Sequence, residues 1–139
     1  MLVRNCAGGV VFCEGKVFLL KNEKDEWVFP KGIIRNGDLV NEVAVRRVKE
    51  ETGISAEIIS TAGQTNYEFF SVTRQKPVCN KITWFIMQSL DKKYEINKEE
   101  NFTDGGYYDI DEAMRLVTYS QDRALLSLSF RKLKELVAV

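Results

Sequence analysis

The sequence predicts an α/β/α sandwich, a mixed sheet with helices packed on both faces. Three observations carry this prediction. Apolar, strand-like runs stand on either side of one central helical segment near residues 39–52. A second helical pattern, from Ser120 or Gln121 to Val139, closes the chain. The 139 residues fit one domain with a single core, and no repeat, low-complexity tract or linker divides them.

Val3–Cys13 reads as a strand with Gly8-Gly9 inside it, and interior glycines mark a bulge or a close backbone approach. Glu14-Gly15 turns the chain into a second strand, Lys16–Lys21, so the two form a hairpin. Asn22–Glu26 is a charged loop, and Trp27-Val28-Phe29 is a short strand leading into Pro30. Trp27 is assigned to the core ahead of a pocket wall, on the usual burial of aromatics. Asn36-Gly37 is a turn, Asp38 is a suitable N-cap, and Gly53 suits the position just past a helix end. A helix from about Leu39 to Thr52 follows.

Beyond it, Ala56–Ser60 and Gln64–Phe70 read as strands, and Ser71–Cys79 as a polar loop holding the second proline. Lys81–Leu90 is the strongest strand, rich in β-branched and aromatic residues. Lys92–Thr103 is a charged loop and Gly105–Ile110 a short strand. A short helix begins at Asp111, with Asp111 or Asp109 as its N-cap. In the last helix Leu125, Leu126, Leu128, Phe130, Leu133, Leu136 and Val137 recur mainly at helical spacing.

Composition excludes several chemistries. There is no histidine, so Ser-His-Asp and Cys-His catalysis and histidine-ligated zinc are absent from this chain. Three scattered cysteines, Cys6, Cys13 and Cys79, have no disulfide framework spacing and suit reduced thiols and a cytoplasmic setting. Twenty basic and twenty acidic residues cancel, so duplex nucleic acid is not an expected partner. No signal-peptide pattern and no apolar run of ~20 residues points to a membrane. Acid–base or metal chemistry must therefore use carboxylates, Lys, Tyr or water. Carboxylate oxygens favour hard cations such as Mg2+ or Mn2+.

The central helix is where carboxylates are placed unusually. Projected at ~100° per residue, Val40, Val43, Ala44 and Val48 share one side. Arg47 and Glu51 fall in the middle of that side and Glu50 at its edge, while Glu42 and Lys49 point away. Inward carboxylates are costly unless paired or bound to a cation. Either i, i+4 pairing, Arg46–Glu50 or Arg47–Glu51, would satisfy them, and so would a metal ion.

The stretch from Gly32 to Ile54 resembles the Nudix box of hydrolases acting on nucleoside diphosphates linked to another group. That motif reads Gly, five residues, Glu, seven residues, then Arg-Glu-aliphatic-any-Glu-Glu-any-Gly-aliphatic. Gly32, Arg46, Val48, Glu50, Glu51, Gly53 and Ile54 match in register, seven of nine fixed positions. Asp38 stands where the first Glu belongs, and Arg47 reverses the charge of the Glu that follows the box Arg. The resemblance implies the Nudix fold, with the box helix on one face and the C-terminal helix on the other, and metal-dependent hydrolysis of a phosphoanhydride in a nucleoside or dinucleoside polyphosphate. It implies Glu50 and Glu51 as ligands of Mg2+ or Mn2+, Arg46 as the residue that orients a carboxylate, and Lys31 and the Gly32 amide at phosphate. A carboxylate of the Lys92–Thr103 loop often completes such sites. Glu100 is the candidate here, with Glu99 and Asp104 behind it.

KITWFIM and GGYYDIDEA look like the branch of the family that contains diadenosine tetraphosphate hydrolases. By that likeness Lys81 contacts phosphate, and Tyr67, Phe69 or Trp84 stacks on a base, two of the three being core. Arg47 leaves three outcomes open: an enzyme with fewer metals, a phosphate contact made by Arg47, or a catalytically weak domain that binds a nucleotide-like ligand as sensor or regulator. Substrate candidates include an RNA 5′ end. Oligomeric state has no signal in the sequence.

Overall fold

In a computed structural model of the protein, residues 1–137 are described. The predicted residues 138–139 of the last helix lie outside them. Strands β1 (Leu2–Cys13), β2 (Lys16–Asn22), β3 (Trp27–Val28) and β4 (Lys31–Ile33) lead into helix α1 (Val40–Thr52). Strands β5 (Ala56–Ser71), β6 (Lys76–Ser89) and β7 (Phe102–Asp109) follow, then α2 (Ile110–Leu116) and α3 (Ser120–Val137). The seven strands form one mixed sheet of order β3-β2-β1-β6-β5, with β4 also pairing β1 and β7 pairing β2. β1 runs parallel to β6 from Leu2↔Val78 to Phe12↔Gln88, and the other pairings are antiparallel.

The period-2 alternation of the strands splits the core across the two faces. Val10, Phe12, Ile82, Trp84 and Ile86 pack beneath α3, with Leu125, Leu126 and Leu133. Val11, Phe18, Phe85 and Met87 pack against Val43, Ala44 and Val48 of α1. This is the two-faced α/β arrangement that the sequence predicts. Cys6, Cys13 and Cys79 are buried free thiols, and burial is the main force pushing Cys6 and Cys13 above the usual thiol range.

Several elements depart from the expectation. Ser71–Cys79 is not a polar loop. β5 and β6 form one long hairpin closed by residues 72–75, and Pro77 pairs Phe70 beyond the reach of β1. Both faces are wet there, so the residues read as loop while the ladder continues. The two predicted strands of residues 56–70 are one strand with two bulges, at Ile58/Ser60 and Thr61/Gly63. Asp38 is not the N-cap of α1. Leu39 is, without a side-chain cap, and Asp38 instead accepts from the Arg35 N–H at 3.1 Å. Val40, which the helical projection puts on the apolar side of α1, is exposed. The Lys92–Thr103 loop contains a short 3-10 turn, Lys98–Glu100, and β7 begins at Phe102. α2 begins at Ile110 with Asp109 as its cap residue, without a side-chain cap bond. Trp27 is half-buried and lies edge-on against Tyr108, at 5.4 Å between ring centroids.

Candidate functional site

Two close backbone approaches set the site. At Gly8 an added Cβ would lie 2.5 Å from the Pro30 carbonyl oxygen and 2.6 Å from the Trp84 ring, so only glycine lets the Pro30 turn sit against β1. The Gly9 N–H donates to that same carbonyl at 3.1 Å. β4 is thereby held with Lys31 opposite Gly8 and Gly32 opposite Ala7. Gly32 then serves as a flat bed for the next element. A Cβ there would lie 2.3–2.5 Å from Nε, Cδ and Cγ of Arg47.

The last two turns of α1 carry the charged groups. The Arg47 guanidinium donates to Glu51 at 2.7 Å, to Glu50 at 3.1 Å and to Glu100 at 3.2 Å. Arg46 pairs with Glu50 at 3.3 Å and with Asp38 at 3.5 Å. Both pairings foreseen from helical spacing are thus present. Glu51 is buried, and its other oxygen accepts the Lys31 N–H at 3.2 Å. Burial pushes the Glu51 carboxyl up to about 7, against the opposing pull of Arg47 and Lys31. Arg47 is held above its usual range, since its bonds to Glu100 and Glu51 outweigh the burial that lowers it. Its Nε–H is buried and has no partner among the described residues.

Glu100 arrives from 53 residues away because its loop satisfies the orphan carbonyls at the end of α1. The Glu95 N–H donates to the Thr52 carbonyl at 2.8 Å and the Asn97 N–H to the Glu51 carbonyl at 3.0 Å. The Asn97 amide adds a bond to the Glu50 carbonyl at 3.2 Å, while its side-chain oxygen accepts the Glu99 N–H. That turn directs Glu100 to Arg47. Glu99 and Asp104 are exposed and pair with none of the box residues, Asp104 accepting the Gly105 N–H instead.

Lys31, Glu51 and Glu100 open onto a cavity of about 380 Å³. The far wall is aromatic and polar: Tyr67, Phe69, Trp84, Tyr119, Asn80 and Asp122. Tyr67 and Phe69 are stacked at 5.6 Å between centroids. Trp84 is a core residue whose edge reaches the cavity, and its indole N–H donates to Thr65 at 2.8 Å. Tyr119 donates to the Glu26 carboxylate and accepts from the Tyr67 hydroxyl at 3.0 Å. Burial works to raise Glu26, but the bonds from Tyr119 and Asn22 leave it below its usual range. Lys81 is not at this cavity. It is exposed on β6 between Asn80 and Ile82, both of which line the cavity, and strand alternation turns it to the other face.

Sequence reasoning missed Glu26, Asn80, Tyr119 and Asp122. Each is unremarkable locally, and each reaches the cavity through contacts across tens of residues, such as Glu26–Tyr119. No local spacing signals them.

Three carboxylates converging on one positive centre form a hard-oxygen donor set of the kind that suits a divalent cation. The guanidinium is the cation they hold here. It also separates them: among the described residues, no three acidic or thiol side chains stand close enough to share a metal ion. The donor set fits a metal in kind, while Arg47 stands between the carboxylates.

A model of the NUDIX domain family matches residues 2–128. An RNA pyrophosphohydrolase of Hahella chejuensis is 30% identical over 113 residues, covering 73% of this chain and 69% of that protein. A mouse (Mus musculus) asymmetrical bis(5′-nucleosyl)-tetraphosphatase is 29% identical over 112 residues, covering 78% and 75%. The fold is similar to that of a C. elegans Ap4A hydrolase in a binary complex, with a TM-score of 0.77 at 17% identity and 95% and 98% of the two chains covered.

Proposed function

The chain belongs to the Nudix family of hydrolases, and from that premise we propose that it cleaves a phosphoanhydride bond of a nucleoside polyphosphate or dinucleoside polyphosphate with a divalent cation. The observation that carries this reading is the convergence of Glu50, Glu51 and Glu100 on one positive centre at the mouth of an aromatic-walled cavity. Glu50 and Glu51 would hold Mg2+ or Mn2+, with Glu100 completing the set. A cation bound there neutralises phosphate charge and makes a bound water more acidic.

The chain's own residues do the rest. Arg46 positions Glu50 through its 3.3 Å contact. Lys31 lines the cavity, and its ammonium field acts on Glu51, Glu26 and Asp122, so it is a cation at hand for a phosphate. Arg47, once displaced from the carboxylates, is a second one. The cavity volume falls in the range of small-molecule sites, and the Tyr67–Phe69 wall offers a surface for a base. The names of the two relatives put a dinucleoside tetraphosphate and the 5′ end of an RNA first among substrates to try. The test is release of phosphate or nucleotide from such a panel with and without divalent metal, in the native chain and in Glu51→Gln. Binding without cleavage would favour a sensor instead.

A further inference from the structure

A helix ends with its last carbonyls unpaired. At the end of α1 these include the main-chain carbonyls of Glu50 and Glu51, and both are taken by one residue of the distant loop. The Asn97 N–H donates to the Glu51 carbonyl at 3.0 Å, and the Asn97 side-chain Nδ2–H donates to the Glu50 carbonyl at 3.2 Å. The same residue opens the turn that carries Glu100. Asn97 is the N-cap of Lys98–Glu100: its Oδ1 accepts the Glu99 N–H at 3.0 Å, and its carbonyl accepts the Glu100 N–H at 3.2 Å. All four polar groups of Asn97 are thus engaged, two toward α1 and two toward the turn.

That double task selects the residue type. The end of α1 needs a donor, because it presents carbonyls and the negative end of the helix dipole. The turn needs an acceptor, as any N-cap does. A side-chain amide supplies both, whereas an aspartate only accepts and would set a charge against the helix end. The loop has other anchors. Ile96 packs in the core beneath α1, the Tyr94 ring meets Phe18 at 5.0 Å between centroids, and the Glu95 N–H holds the Thr52 carbonyl at 2.8 Å. The loop therefore stays docked without the Asn97 side chain, and what that side chain adds is the direction of the turn.

We propose that Asn97 is a positioning residue that holds Glu100 in register with Glu50 and Glu51, so that the three carboxylates act as one donor set. The inference rests on the metal-dependent reading of the site and names the residue outside the box that assembles it. Asn97 acts through Glu100 and through the backbone of the two box glutamates. In the structure the group that meets all three carboxylates is the Arg47 guanidinium, at 2.7–3.2 Å.

The test is calorimetric titration of Mg2+ into the native chain, Asn97→Ala, Asn97→Ser, Glu100→Gln and the double variant Asn97→Ala/Glu100→Gln, each shown to be folded by circular dichroism. Asn97→Ala is expected to weaken Mg2+ binding by ~10-fold or more, the usual cost of losing a group that orients a ligand. Serine restores the cap of the turn, so Asn97→Ser is expected to lie nearer the native chain than Asn97→Ala. The double variant is expected to bind no more weakly than Glu100→Gln, since the lost side chain acts through Glu100. A second readout needs no metal: the NMR signal of the Arg47 Nε–H is expected to shift in Asn97→Ala as it does in Glu100→Gln, and to stay near its native position in Asn97→Ser. Native Mg2+ affinity in Asn97→Ala, or losses that add in the double variant, would overturn the proposal. If the native chain binds no Mg2+, the metal reading fails by itself and the Arg47 signal alone decides the role of Asn97, an unmoved signal in Asn97→Ala overturning it.

Discussion

Replacing Arg47 by Gln removes the positive charge from among three carboxylates and keeps a side chain of similar reach. Its contact with Glu51, 2.7 Å long and with the carboxylate 6% exposed, is a charged hydrogen bond worth ~1.5–3 kcal/mol. The contacts with Glu50 and Glu100 involve side chains 43% and 36% exposed, and such pairs contribute at most ~1 kcal/mol each. A metal ion entering this set forfeits the sum, on the order of 1.5–5 kcal/mol, because Arg47 must withdraw first. At ~1.4 kcal/mol per tenfold, Arg47→Gln should therefore bind Mg2+ at least ~10-fold more tightly than the native chain. The assay is calorimetric titration of Mg2+ at alkaline pH, where Glu51 is ionised, with circular dichroism to establish that the variant is folded. A folded variant whose Mg2+ affinity equals that of the native chain would refute the idea that Arg47 occupies the cation site.

Three further outcomes follow from the geometry. Glu51, raised to about 7, carries a proton on about half the molecules at neutral pH, so Mg2+ binding should release protons near pH 7 and weaken as pH falls below it, measured by calorimetry in buffers of different ionisation enthalpy. Gly32→Ala puts a methyl within 2.5 Å of the Arg47 side chain, so it should displace the guanidinium and cost ~1–3 kcal/mol in urea unfolding. Asp122 is raised from 3.8 to about 6, so the folded state binds the extra proton and stability falls as pH rises between those values. Asp122→Asn should then be more stable than the native chain at pH 8 by on the order of 2–3 kcal/mol, an advantage that disappears below pH ~4, where both states of the native carboxyl are protonated. A pH-independent difference would contradict the burial penalty on the ionised Asp122 carboxylate.

The fold and half of the site were legible because their signals are local. Helical spacing alone puts Arg47 and Glu51 on the inward side of α1, and the structure has Glu51 buried there. The Gly8-Gly9 pair announces a close approach, which proves to be that of the Pro30 turn. The C-terminal helix follows from its apolar repeat. What escaped depends on chain-distant partners. Asn80, Tyr119 and Asp122 line one cavity although they lie far apart in the chain, the first turn of α3 being held to β5 by Gln121 bound to Asn66. Motif likeness puts Lys81 at phosphate, whereas alternation with Ile82 and Trp84 turns it to the other face. The stretch from Ser71 to Pro77 resembles a loop in sequence because the exposed tip of a hairpin lacks the apolar alternation that marks a strand.

The central claim is metal-dependent phosphoanhydride hydrolysis through Glu50 and Glu51. Its most direct test is product release from diadenosine tetraphosphate, the common nucleoside triphosphates, ADP-ribose and a 5′-triphosphorylated RNA, each with Mg2+, with Mn2+ and with chelator. At least one compound should be cleaved with metal, none with chelator, and none by Glu51→Gln with its fold intact. Cleavage that survives chelator, or normal turnover by Glu51→Gln, would contradict the claim.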